Sequence, residues 1–314
     1  MRILQVNNLK KYFTLGLMRK YTVKALDGVS FDIDQGEIFG VLGESGCGKS
    51  TLGLVLSRIE KESSGEIFFK QSKISGSTKL DRDKRREIQI IFQNPYESFD
   101  QRLTIEDSLD LPLKINRIGT NRSRRKEIMK DFLSRAGLEP AESFLSRYPH
   151  ELSGGQLQRI SLLRAMMLNP SFLIADECVS MLDLSVRASV INLMLDLVRS
   201  EKTTVMFITH DISLAKYVSD RIAVLYLGKV VELGRSVDVV ERPLHPYTKV
   251  LISYSPSIFE RRQKIKPKEL MTVFQPETGC NFVNRCPYAD NRCERETPQL
   301  REIEQGHWVS CHFA

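Results

Sequence analysis

The chain has 314 residues, 41% of them hydrophobic and 27% charged, which places it in the ordinary globular range with material for one large domain or two smaller ones. Its formal charge of +7 is spread along the chain and not gathered into a tail, so charge alone selects neither nucleic acid nor an anionic membrane over a solvated surface. No stretch approaches the ~20 uninterrupted apolar residues that cross a bilayer, and the opening MRILQVNNLKKYF lacks a secretory signal core; both point to a cytoplasmic chain that needs partners for any work at a membrane.

Short strands are expected at Ile3–Val6 and Val29–Ile33, followed by the apolar run Ile38–Leu42, which stops at a glycine-rich turn. Further apolar, β-branched runs at Ile88–Phe92, Phe172–Ala175 and Val205–Thr209 read as central strands covered on both faces. Helical patterns lie between them, so a largely parallel sheet with crossover helices is the expected α/β architecture. From Asn94 to His150 the character becomes polar and helical, which reads as an inserted helical subdomain. Its basic run, Arg122 to Lys126, reads as a solvated helix face.

From Pro243 onward the composition shifts again. Seven of the twelve prolines, four of the six cysteines and the single tryptophan, Trp308, fall in this last part. Proline excludes long helices and central strands, so a small loop-rich appendage is expected, too short to bury much apolar surface and in need of a staple.

The segment Gly43-Glu44-Ser45-Gly46-Cys47-Gly48-Lys49-Ser50-Thr51 fits G-x-x-x-x-G-K-[ST] after a strand and before a helix expected to start near Leu52. Glycines let backbone N–H groups turn inward around phosphates, and the helix N-terminus adds its positive dipole end. Lys49 would reach the β- and γ-phosphates of ATP and Ser50 would ligate Mg²⁺. Cys47 reads as a small loop residue. The strand Phe172–Ala175 runs into Asp176-Glu177, where one carboxylate can bind Mg²⁺ and a second can polarise an attacking water.

Leu152-Ser153-Gly154-Gly155-Gln156 resembles the signature peptide of ABC ATPases and lies about a hundred residues after the phosphate loop, as in that family. Ser153, Gly154 and Gly155 would open a helix and form a second anion cradle. The resemblance implies that this cradle, with Gln156, closes over the γ-phosphate held by a partner subunit. It also implies that Gln93 senses Mg²⁺ and the transmembrane partner, Glu177 is the general base, His210 holds the γ-phosphate and Asp183 links the two sites. Phe13 is taken as the adenine-stacking aromatic, with Tyr12 and Tyr21 as alternates. Cys178-Val179 stand where most members have Pro-Thr, and Met181 replaces a commoner alanine; neither change removes a catalytic group.

On this resemblance the fold is a P-loop, RecA-like ABC ATPase core with an antiparallel β edge (1–93 and 159–235), a helical subdomain bearing the signature (94–158) and a C-terminal extension (236–314). Arg242-Pro243-Leu244-His245-Pro246-Tyr247-Thr248 resembles the His-Pro-Tyr-Thr peptide of dipeptide, oligopeptide and nickel importer ATPases. That group implies a separate substrate-binding protein, two permease subunits, a second, non-identical ATPase subunit and a peripheral place on the cytoplasmic face of the membrane, with no nucleic acid.

Cys280, Cys286, Cys293 and Cys311, spaced C-x5-C-x6-C-x17-C, can supply four thiolates to one centre, which suits a [4Fe–4S] cluster or tetrahedral Zn²⁺. The resemblance points to iron–sulfur, and His307 and His312 offer alternative zinc ligands. The expectation is therefore a metal-stapled tail whose metal serves folding and not transport chemistry.

Overall fold

A computed structural model describes residues 1–16, 21–77, 79–254 and 276–314. The chain divides into two compact units, one formed by Met1–Thr78 with Phe207–Ala314 and the other by Lys79–Met206.

In the first unit, strands β1 (Arg2–Leu15) and β2 (Tyr21–Asp34) pair antiparallel, with Val6 opposite Phe31 and Phe13 opposite Val23. In the second half of β2, Val29, Phe31 and Ile33 are buried while Ser30 and Asp34 are exposed, the period-2 pattern of a strand with one covered face. Both strands have 14 residues and run well beyond the short segments expected from the sequence, because ladder pairing carries polar residues that show no apolar signal. Strand β3 (Ile38–Leu42) is buried at all five positions, and its loop leads into helix α1 (Lys49–Leu56). β4 (Ser64–Phe69) pairs with β1, and β5 (Ser72–Lys73) returns from it through Lys70 and Gln71, both at positive φ, the left-handed pair that a tight hairpin requires.

The second unit contains helix α2 (Arg82–Glu87), strand β6 (Ile88–Ile91), helices α3 (Ile105–Ile115), α4 (Arg122–Arg135), α5 (Ala141–Leu145) and α6 (Gly154–Met166), strand β7 (Phe172–Asp176) and helix α7 (Leu184–Glu201). β6 and β7 are parallel neighbours, Ile88 opposite Phe172. Thr104 and Asn121 cap α3 and α4 by accepting from the N–H groups of Asp107 and Arg124. The basic run ties these two helices together: Arg122 and Lys126 meet Glu106, and Arg125 meets Asp110 at 2.6 Å. Strand β8 (Thr204–Thr209), buried at all six positions, runs across the boundary between the units.

The chain then completes the first unit with helix α8 (Ile212–Val218), strands β9 (Arg221–Tyr226) and β10 (Lys229–Arg235), helices α9 (Ser236–Glu241), α10 (Pro246–Ser253) and α11 (Asn291–Arg295), and strands β11 (Arg301–Glu304) and β12 (His307–Val309). Its strands lie in the order β11-β12-β10-β9-β3, with only the β9–β3 contact parallel. Pro246 opens α10, where a missing N–H costs nothing. No helix among the described residues is long and apolar enough to cross a membrane.

The C-terminal segment corrects one expectation. Among the described residues no group of three or more His, Cys, Asp or Glu side chains is gathered to hold a metal ion, so the [4Fe–4S] or Zn²⁺ centre at Cys280, Cys286, Cys293 and Cys311 is overturned. None of the four is in a disulfide bond. Burial pushes the Cys280 thiol up to about 11 and Cys293 upward as well, which favours the protonated thiol over the thiolate a metal requires. The physical reason that no staple is needed is that the segment borrows a core. β12 adds to β10, and Phe282 and Cys286 pack in one cluster with Tyr226, Tyr247, Val224 and Val231. Glu232, wholly buried, accepts from the N–H groups of Leu244 and His245 and bonds His307 Nε2 at 2.8 Å, pinning both ends of the segment to β10.

Candidate active site

The phosphate loop begins where β3 ends. Gly48 caps α1 at φ 108°, and a Cβ there would collide with the Ala25 carbonyl, so only glycine serves. Because Gly48 is the cap, the helix starts at Lys49 and not near Leu52, and the N–H groups of Lys49, Ser50 and Thr51 belong to its first turn. Lys49 is buried, and its Nζ donates to the carbonyls of Gly43 at 2.9 Å and Glu44 at 3.0 Å, folding the loop around the ammonium. Ser45, Gly46 and Ser50 are exposed, whereas Cys47 is buried and its thiol is pushed upward by desolvation. The Cys47 carbonyl accepts from Gly228 N–H, a packing role.

Phe13 is half-buried on β1, with Lys11 Nζ over its ring at 4.6 Å. Tyr12 donates its hydroxyl to Asp27, and Tyr21 is exposed. His210 follows β8 on the surface of this unit, just before α8, whose N-cap is Asp211.

The second unit brings three of the expected residues to the ends of β6 and β7. Asp176 closes β7 and is buried; Glu177 follows at φ 45°, a left-handed conformation that a glutamate adopts at a cost. Gln93 Nε2 donates to Glu177 Oε2 at 3.2 Å and to Ser180 Oγ at 3.2 Å, and Ser180 Oγ donates back to the Glu177 carbonyl at 2.9 Å. Ser180 is thus a member of the constellation, although the sequence assigned it no role of its own.

The signature residues form a capping box at the start of α6: Gln156 N–H donates to Ser153 Oγ at 3.3 Å, and Ser153 N–H donates to Gln156 Oε1 at 3.0 Å. Gly155 faces α7 so closely that a Cβ would collide with Val186 Cγ1. Asp183 is exposed and caps α7 through its backbone, with no side-chain cap. The expected residues are therefore gathered in two groups. The phosphate loop, Phe13 and His210 belong to the first unit; Gln93, Asp176, Glu177, Asp183 and Ser153–Gln156 belong to the second.

Two residues that sequence reading left without a role touch the phosphate loop. Tyr247 OH accepts from Glu44 N–H at 2.9 Å, and Arg285 makes a two-pronged bridge to the Glu44 carboxylate at 2.7 and 2.9 Å. No local signal could reveal the second, since its partners lie 241 positions apart.

A family profile described as ABC transporter matches residues 26–180, and one described as oligopeptide/dipeptide transporter, C-terminal region, matches residues 231–293. The chain is 43% identical to the oligopeptide transport ATP-binding protein AppF of Bacillus subtilis (strain 168), covering 99% of this chain and 97% of that protein. It is 42% identical to the di/tripeptide transport ATP-binding protein DppF of Pseudomonas aeruginosa (strain UCBPP-PA14), covering 99% and 98%. Among solved structures it resembles a dimeric, post-hydrolysis state of the ATP-binding cassette MJ0796 bound to ADP and Pi, with TM-score 0.65 and 30% identity over 74% of this chain and 98% of that one.

Proposed function

Since the chain belongs to the ATP-binding subunits of ABC transporters, among relatives of the oligopeptide, dipeptide and nickel importer ATPases, we infer that its two groups of residues divide ATP binding and water activation between them. The protein binds and hydrolyses ATP and so energises a peptide-type ABC importer. As a subunit of such an importer it works peripherally, at the cytoplasmic face of the membrane.

In this reading the N–H groups from Gly43 to Thr51 cradle the phosphates and Lys49 neutralises the β- and γ-oxygens. Ser50, Gln93 and Asp176 carry oxygen atoms of the kind a hard cation prefers, and Mg²⁺ would supply charge neutralisation at the phosphates. Glu177 takes the proton of the attacking water, Gln93 and Ser180 orient its carboxylate, and His210 donates to the γ-phosphate. Phe13 stacks on adenine. Ser153, Gly154, Gly155 and Gln156 serve a nucleotide held by a second ATPase subunit, with Asp183 beside them. The domain limits 1–93 with 159–235, 94–158 and 236–314 follow the same reading. The partners are a non-identical ATPase subunit, two permeases and an extracytoplasmic binding protein that selects peptides.

The observation that carries the hydrolytic assignment is the hydrogen bond from Gln93 to Glu177, because it aims a carboxylate held in a strained backbone conformation. Glu177→Gln in the assembled importer tests it. Removal of a general base lowers turnover by about 10²- to 10⁴-fold, while ATP still binds; undiminished hydrolysis would assign the base elsewhere.

A further inference from the structure

Glu44 is gripped at three points. Its carbonyl accepts from Lys49 Nζ at 3.0 Å and from Cys47 N–H at 3.3 Å, its N–H donates to Tyr247 OH at 2.9 Å, and its carboxylate takes both prongs of the Arg285 guanidinium at 2.7 and 2.9 Å. Only the first grip comes from the phosphate loop itself. The other two come from the C-terminal segment, and both are firmly built. The Tyr247 side chain is wholly buried. The Arg285 guanidinium lies over the rings of Tyr226 at 5.8 Å and Phe282 at 5.7 Å, and those rings meet edge-on at 5.2 Å. A planar guanidinium packed on aromatic faces and forked onto a carboxylate has little orientational freedom left.

This arrangement has a consequence for nucleotide binding. Lys49 must give up the Gly43 and Glu44 carbonyls when its ammonium turns to phosphate oxygens, and the loop then loses the ties that its lysine supplies. At the same moment the Glu44 carboxylate, one position into the loop, would repel the incoming phosphates were its charge not matched. We propose that Arg285 and Tyr247 are positioning residues for ATP, which hold the phosphate loop open through Glu44 and cancel its charge, so that the C-terminal segment sets nucleotide affinity. The inference rests on the reading of Gly43–Thr51 as the ATP cradle and assigns the segment a role in that site.

Titration of the full chain with ATP and Mg²⁺, alongside steady-state hydrolysis, tests it. For Arg285→Ala the Kd and KM for ATP rise about tenfold while kcat stays within about twofold, the loss expected for one charge-assisted pair. Tyr247→Phe, which removes a single hydroxyl, raises KM about threefold to tenfold with kcat retained. Arg285→Lys keeps the charge but not the fork and falls between wild type and Arg285→Ala. If Arg285 acts through Glu44, Glu44→Gln added to Arg285→Ala costs no further affinity.

Wild-type affinity in both Arg285→Ala and Tyr247→Phe would overturn the proposal, as would losses that multiply in the double variant or an equal fall in kcat and affinity that follows the melting temperature. A wild-type chain that binds no ATP would overturn the reading of the cradle and the proposal with it.

Discussion

Gln93 and Glu177, 84 positions apart, meet because β6 and β7 are parallel neighbours whose C-terminal ends lie side by side, and the Nε2 to Oε2 distance is 3.2 Å. The amide holds the carboxylate from one side while Ser180 ties the carbonyl of the same residue. Removing the amide with Gln93→Ala leaves the Glu177 carboxylate in place but unaimed. Turnover should fall about 10- to 100-fold, the cost of a misplaced reacting group. Gln93 is exposed, so stability should change by less than about 0.5 kcal/mol. Single-turnover hydrolysis and thermal unfolding of the same variant separate the two effects; a loss of stability matching the loss of rate would make Gln93 a structural residue.

Glu177 itself sits at φ 45°, where glycine has no steric penalty and glutamate does. Glu177→Gly should therefore abolish hydrolysis and yet unfold at a higher temperature than Glu177→Ala, by about 1 kcal/mol of relieved strain. Comparison of the two variants isolates the backbone contribution, because both lack the carboxylate. Equal melting temperatures would mean that the conformation costs nothing.

The central strands were readable because burial on both faces leaves continuous apolar runs, as at Ile38–Leu42 and Phe172–Ala175. The phosphate loop was readable because its glycines and Lys49 are consecutive. What eluded sequence reading is non-local. The full length of β1 and β2 comes from pairing and not from apolar content. The anchor of the C-terminal segment hides in Glu232, a single acid inside the run Lys229–Arg235 that gives no sign of its partners Leu244, His245 and His307. Four spaced cysteines suggested a metal staple because a short segment was assumed to stand alone; joined to β10 and to the Tyr226–Tyr247–Phe282 cluster, it does not.

Gly155 marks a close approach of α6 to α7. Val186 is β-branched and holds one χ1 rotamer in a helix, so it cannot swing away from an added methyl group. Gly155→Ala should destabilise the chain by about 1–3 kcal/mol through overpacking. Val186→Ala in that background should recover part of the loss, a coupling visible in a denaturant-unfolding cycle. Additive costs would show that the two residues do not press on each other.

His245 gives the fold an acid sensitivity. Its ring is buried and caps α10, with Nδ1 accepting from Tyr247 N–H at 3.0 Å. Desolvation pulls its pKa down from 6.5 to about 4 against the opposing pull of Glu232, with Lys249 adding to the downward shift. A protonated ring would also turn an N–H toward the Tyr247 N–H. The unfolded chain therefore binds a proton near pH 6.5 that the folded chain refuses until about pH 4, and stability falls as pH drops through that window. The loss amounts to roughly 3 kcal/mol across the full window. His245→Asn keeps a capping acceptor without the titration, so its unfolding free energy, measured by urea at pH 7 and pH 5, should change much less between the two than that of the wild type. A wild-type difference equal to that of the variant would place the acid sensitivity in other groups, and the cap at His245 would then be structural only.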